Sequence, residues 1–208
     1  MILLKEGERG KRHIIMVLII GLGNPGPEYK NTFHNIGFWA AEILKLKIES
    51  FSDWKNSKKL LAEISQGKIN GQKAVLAKPQ TFMNNSGRAA KNLVKYYFPG
   101  RPAKRRLLVI HDDIDLPLGK IRIVENRGAA GHKGVESIIK ELKTKNFIRL
   151  RIGIQPKTGK PENPEKFVLR KFNKEEKEKI EKAVEKTAAA AEIVFNQGLE
   201  EAMNEFNK

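Results

Sequence analysis

The chain has no cysteine. That excludes disulfides, thiolate metal sites and cysteine nucleophiles, and it fits a reducing, cytoplasmic setting. Its four histidines are His13, His34, His111 and His132. No two of them stand at helical or hairpin spacing, so no dedicated metal site is expected. No apolar run approaches the roughly 18 residues that a membrane span needs. Aromatic residues make up only 7% of the chain, so stacking on single-stranded bases is not the expected mode of nucleic-acid contact. Negative charge is also scarce, with 24 acidic against 40 basic residues and a formal net charge of +16. Such an excess reads either as a solvated lysine-rich surface or as the footprint of a polyanionic partner. Clustered Lys and Arg bind phosphates through counterion release, and backbone recognition of a structured nucleic acid suits this composition.

What is present organises around Val17–Gly37. Val17, Leu18, Ile19 and Ile20 are consecutive β-formers without polar alternation, as in a strand buried on both faces. The chain then breaks at a Gly- and Pro-rich turn, Gly21 to Pro27, and places Asn24, Tyr29, His34 and Asn35 close together. A buried strand feeding a polar turn is how α/β proteins present chemistry at a strand's carboxyl end. Periodicity predicts helices over 36–46, 86–98, 135–142 and 174–196. Strands are expected over 60–65, 74–77, 107–110, 120–124 and 147–154, with a hairpin turn at Asn70-Gly71 and polar loops over 50–57 and 158–164. Arg149 and Arg151 alternate with apolar residues in the last strand and are expected on a polar face. The expected fold is a single α/β domain, a twisted mixed β-sheet surrounded by helices, spanning 16–208. Residues 1–15 lack the apolar stretch of a secretory signal. They read as a loose extension, or as lying upstream of a natural start at Met16.

Several constellations carry chemistry. Gly21-Leu-Gly-Asn-Pro-Gly26 matches G-x-G-x-x-G after a strand, the dinucleotide fingerprint. Against it, Pro25 removes a backbone N–H, and helical periodicity begins only near Ile36, so a pyrophosphate would lack a helix terminus. His34 is the natural general base at neutral pH. His111-Asp-Asp-Ile-Asp115 follows the strand over 107–110, where an acid can orient an imidazole; a Mg²⁺ site or an Asx turn is the other reading. Lys78-Pro-Gln-Thr-Phe-Met-Asn-Asn-Ser-Gly87 ends a strand and opens a helix. Its Asn84, Asn85 and Ser86 are natural N-caps, or an amide there aims at a carbonyl with Met83 lining a cleft. Ser86 could serve as a nucleophile but lacks the G-x-S-x-G elbow. Gly128-Ala-Ala-Gly-His-Lys-Gly134 is a flexible connection or an anion site at a helix start. Arg149, Arg151, Lys157, Lys160, Lys166, Arg170 and Lys171 could form one basic face.

Taken together and in order, GLGNPGPEY, NTFHNIG, KPQTFMNNSG, HDDIDLPLGKIR and the G-x-x-G-H-x-G loop resemble the bacterial peptidyl-tRNA hydrolases over nearly the whole chain from Met16. The resemblance implies cleavage of the ester between a peptide and the 3′ end of tRNA, without metal or other cofactor, by a cytoplasmic monomer. It implies His34 as general base, Asp112 as the acid that polarises it, and Asn24 as a positioner of substrate or water. Asn84 is implied to orient substrate and water and Met83 to line the peptide groove, with Tyr29, Asn35, Phe82 and Lys133 also on the substrate. Arg122, Arg151 and Lys160 are implied to hold the tRNA backbone. Two departures concern single positions beside the chemistry. The family usually has Arg before the catalytic histidine, where this chain has Phe33, and Asn where it has Lys133. A third is Asn126-Arg127, where glycines are common. The alternative reading is a non-catalytic RNA-binding relative acting in RNA processing, which would have no need of a base–acid pair.

Overall fold

The computed structural model describes residues 16–48, 50–100 and 106–208; the expected extension 1–15 lies outside them. Seven strands form one mixed sheet in the order β2-β3-β4-β1-β5-β7-β6. The strands are β1 (Val17–Gly21), β2 (Lys55–Ser57), β3 (Ala62–Ile69), β4 (Gln72–Pro79), β5 (Leu107–Pro117), β6 (Ile121–Glu125) and β7 (Ile148–Gln155). The helices are α1 (Ile36–Lys47), α2 (Ser86–Tyr97), α3 (Lys133–Leu142), α4 (Pro164–Leu169), α5 (Lys174–Asn196) and α6 (Leu199–Phe206).

The central strands β4, β1, β5 and β7 are parallel; β3 and β6 flank them antiparallel, and β2 forms the edge beyond β3. Parallel strands need both faces covered, and the two cores meet that need. Val17 and Ile19 of β1 point to one side with α1, α5 and α6; Leu18 and Ile20 point to the other with α2 and α3. From β1 the chain runs to β4 on one flank and returns to β5 on the other. The carboxyl ends of β1 and β5 therefore flank a topological switch point, where α/β sheets bind ligands.

Four elements, β2, α4, β5 and α6, differ from the sequence reading. β2, Lys-Asn-Ser, has no apolar residue and is held by edge pairing with β3. α4 starts at Pro164 under an Asn163 side-chain cap, the favoured place for proline in a helix, so its proline signals a start and not only a loop. β5 runs on to Pro117, through the whole HDDID motif. Gly198, at φ +106°, turns the chain from α5 into α6. Arg149 is not on a solvated face: it is 2% exposed.

Candidate active site

Two glycines bring the site together. A Cβ on Gly21 would lie 2.1 Å from the Gly37 carbonyl oxygen, and one on Gly37 would lie 2.4 Å from Ile110 O and Leu22 N. The start of α1 therefore rests directly on the ends of β1 and β5. Leu22 N–H donates to Ile110 O at 2.9 Å and Phe38 N–H to Leu22 O at 3.1 Å. The loop between is folded back, and His34 comes to lie over Asp112, two residues beyond Ile110.

Both oxygens of Asp112 lie 3.0 Å from His34 Nδ1, and Oδ1 is also 3.0 Å from His132 Nε2. His132 is the N-cap of α3: its Nδ1 accepts the Gly134 and Val135 N–H groups at 3.2 and 3.3 Å. An acceptor Nδ1 carries no proton, so the neutral ring holds its proton on Nε2 and donates it to Asp112. Asp112, 2% exposed, is penalised by burial. The two imidazoles outweigh that cost and hold its carboxyl well below the usual range. As a carboxylate it accepts the Nδ1 proton of His34. Burial pulls His34 down, but the charge and hydrogen bond of Asp112 lift its pKa above the ordinary 6.5. His34 Nε2 is left as a basic lone pair without a partner among the described residues. His111 sits fully buried behind, its ring 4.6 Å from that of His132 and its Nδ1 2.6 Å from Asp112 O. Burial, then His132, push His111 far down, so it stays neutral.

His34, Asp112 and His132 offer ligand atoms within 4.8 Å of one another, close enough for a cation by distance alone. A cation would need the Nε2 lone pair of His132, and the two helix amides on Nδ1 require that nitrogen to hold the proton. The donor set fits a proton network better than a metal.

Asn24 is fixed from both sides. Asn35 accepts the Asn24 N–H through Oδ1 and donates Nδ2 to Asn24 O, both at 2.9 Å. Asn24 Oδ1 accepts from Met83 N–H at 2.8 Å, which sets the amide so that Nδ2 is its free end. Met83 in turn packs on Gly134, where a Cβ would lie 2.4 Å from its Sδ.

A cleft of about 1070 Å³ runs over this centre. Of the residues singled out in the sequence, Asn24, His34, Phe82, Met83, Asn84, Asp112, Lys133 and Lys160 all line it. Phe82 is 57% exposed at its rim. Asn35 does not line this cleft, because its amide is committed to Asn24. Tyr29 stands behind, edge-on to Phe82 at 6.4 Å. Arg122 and Arg151 line a separate depression of about 770 Å³ with Arg127 and Arg149. Arg149 has a buried Nε without a partner, and burial, with Arg151 beside it, lowers its pKa to about 10. Arg151 Nε donates to Asp113 at 2.5 Å and Lys160 to Asp115 at 2.7 Å. The expected basic face is thus divided: the arginines fill one hollow, Lys160 edges the cleft, and Arg170 lies over aromatic rings.

Other readings fall away. Ser86 is fully buried and does not line the cleft, so it is no nucleophile. Gly26 leads into a short 3-10 turn, Pro27–Tyr29, and not into α1, so no helix terminus serves a dinucleotide. His132 and Asp113 were missed as site residues; the available signal was a histidine at the helix-opening glycine loop and a second acid beside Asp112. Phe33 is buried and stacked on Phe167, and an arginine there would set its charge beside Arg170.

The fold is an α/β sheet that carries a carboxylate-bound imidazole in a cleft at the carboxyl ends of its parallel strands. The sequence model described as peptidyl-tRNA hydrolase matches residues 18–208, and the chain belongs to that family. The peptidyl-tRNA hydrolase of Mycolicibacterium smegmatis is 42% identical over 188 residues, covering 90% of this chain and 95% of that protein. That of Rhodococcus opacus is 40% identical over 190 residues, with the same coverage. The crystal structure of the peptidyl-tRNA hydrolase from Acinetobacter baumannii superposes with a TM-score of 0.83 at 33% identity, covering 95% of this chain and 97% of that one.

Proposed function

We propose that this protein hydrolyses the ester between a peptide, or an N-blocked aminoacyl group, and the 3′ end of tRNA, recycling tRNA from prematurely released peptidyl-tRNA in the cytoplasm. The observation that carries the reading is the carboxylate of Asp112 held between two imidazoles. His132 is fixed as a donor, so His34 is left with a raised basicity and a bare Nε2 in the cleft. His34 takes a proton from water as the oxygen attacks the ester carbonyl. Asn24 Nδ2 and the Asn84 amide donate to the oxygen on which negative charge develops. The His34 imidazolium, stabilised by Asp112, then gives that proton to the ribose oxygen as its bond to the carbonyl carbon breaks, so that it leaves as the hydroxyl. Such a step needs no nucleophilic side chain.

Met83, Phe82 and Lys133 take the acyl end of the substrate, while Lys160 and the hollow with Arg122 and Arg151 take tRNA phosphates. Among the described residues no helix is long and apolar enough to cross a membrane, which agrees with a polyanionic partner in solution. The test is release of N-acetyl-aminoacyl groups from charged elongator tRNA without added metal. Wild-type hydrolysis that collapses in His34→Ala supports both reaction and base. No hydrolysis, with salt-sensitive tRNA binding intact, would instead point to an RNA-binding relative.

A further inference from the structure

One wall of the cleft is formed by α4, a helix of six residues with no buried residue. So short a helix does not hold itself in water, yet Pro164, Glu165, Val168 and Leu169 all line the cleft. Its anchor is aromatic. Phe167 stacks on Phe33 with ring centroids 4.9 Å apart and planes at 13°. Phe172 meets Phe33 edge-on at 6.0 Å and stacks on Trp39 of α1 at 5.6 Å. The guanidinium of Arg170 lies 4.8 and 4.7 Å from the Phe33 and Phe167 rings. Glu176 holds that guanidinium through two hydrogen bonds, at 2.9 and 2.5 Å, and itself completes the capping box of α5. Backbone contacts close the clasp: Phe172 N–H donates to Asn31 O at 3.1 Å, and Thr32 bridges Lys171.

The contacts that reach the three residues before His34 are those of Phe167, Phe172 and Arg170 on Phe33, and the backbone pairing of Asn31 and Thr32. Phe33 is fully buried and adjoins His34 in the chain, and its stacking partner, Phe167, lies among the wall residues. We propose that Phe33 is a positioning residue that ties the α4 wall of the cleft to the segment carrying His34, and so sets how tightly the cleft grips the acyl group. The proposal rests on the hydrolase reading and adds to it a determinant of acyl preference. The Phe33 side chain has no group that donates or accepts a hydrogen bond, so it cannot take part in the chemistry itself. It acts on the distance between the base and the apolar wall of Val168 and Leu169. A bulky apolar acyl group depends on that wall, whereas a glycyl group barely reaches it.

The experiment compares wild type, Phe33→Leu, Phe167→Leu and the double variant on N-acetyl-leucyl-tRNA and N-acetyl-glycyl-tRNA, with amide hydrogen exchange over 164–172. Leucine keeps the site apolar and near its volume, so folding persists, and loss of one stacked pair sets the scale of the effect. In Phe33→Leu, KM for the leucyl substrate should rise about 3- to 10-fold while KM for the glycyl substrate stays within about twofold. kcat for the glycyl substrate and its pH midpoint should hold, and exchange over 164–172 should quicken. Phe167→Leu should reproduce this, and the double variant should add little, because both remove one stack. Equal loss on both acyl groups, a shifted pH midpoint, unchanged exchange or full additivity would overturn the proposal while leaving the hydrolase reading intact. A wild-type chain that hydrolyses neither substrate would overturn that reading, and the proposal with it.

Discussion

His132 donates its Nε2 proton to Asp112 across 3.0 Å because its other nitrogen caps α3. One ring thereby links a helix terminus to the acid under His34. The two amides of Gly134 and Val135 decide the tautomer of His132, His132 keeps Asp112 ionised, and Asp112 keeps the proton of His34 on Nδ1. The basicity of the site thus traces back to a secondary-structure boundary.

The pH dependence follows with a definite sign. In the proposed reaction His34 acts as a base only when neutral, and Asp112 raises its pKa above 6.5. kcat/KM should therefore climb with pH through a midpoint above 6.5 and then level. Asp112→Asn removes the charge but leaves the burial, so the midpoint should drop below 6.5. An amide facing Nδ1 also favours the wrong tautomer, and kcat should fall about 10²- to 10⁴-fold. An unmoved midpoint in a pH–rate profile would show that the carboxylate is not what tunes the base.

Substitution at His132 should separate its two tasks. Asparagine can cap α3 but is too short to reach Asp112. His132→Asn should keep the wild-type unfolding temperature within a few degrees, whereas His132→Ala should lose about 1 kcal/mol with the cap. Both should lose about tenfold or more in kcat, the worth of one hydrogen bond to a charged group. Full activity in His132→Asn would reduce the contact with Asp112 to packing.

Much of this was legible in the sequence. Val17–Ile20 and Leu107–Ile110 announce buried strands because parallel strands lose their polar face. The long α5 shows its period over 23 residues, and the acid–imidazole pair could be anticipated from His34 in the polar turn that follows one apolar run and Asp112 just after the other. Arg149 misled, since alternation with Leu150 and Ile152 normally marks a solvated face, yet tertiary packing leaves it 2% exposed. The hold of Asn35 on the Asn24 backbone was not legible, because nothing in the spacing of 24 and 35 shows that the turn folds back on itself. The division of the late basic residues between cleft, hollow and aromatic clasp depends on tertiary placement, which charge spacing does not encode.

Gly37 is predicted to tolerate no side chain. Its nearest neighbours are backbone atoms of β5 and of the residue just after β1, Ile110 O and Leu22 N, at 2.4 Å from an added Cβ, and neither can swing away. Gly37→Ala should destabilise the fold by about 2–3 kcal/mol, read by urea unfolding. Gly128→Ala, where nothing lies within 4 Å, should stay near wild type. Equal stability of the two would mean that the α1–β1 contact is looser than its geometry.

Lys133 stands at the first position of α3 and lines the cleft, exposed, where the resemblance leads one to expect asparagine. A cation there attracts phosphate from any direction, whereas an amide would donate a directed hydrogen bond to the acyl junction. Lys133→Asn should therefore lower the slope of log K against log salt for tRNA binding by about one and raise KM, while kcat holds or rises. Arg122→Ala, in the separate arginine hollow, should lower the slope similarly but leave kcat alone. The comparison matters because both changes remove one positive charge, and only Lys133 lies in the cleft with His34. If Lys133→Asn leaves both kcat and KM unchanged, its charge is solvated surface and the departure from asparagine has no catalytic meaning. If kcat rises only in Lys133→Asn, the lysine has exchanged directed contact for attraction, and the chain holds its substrate at some cost in turnover.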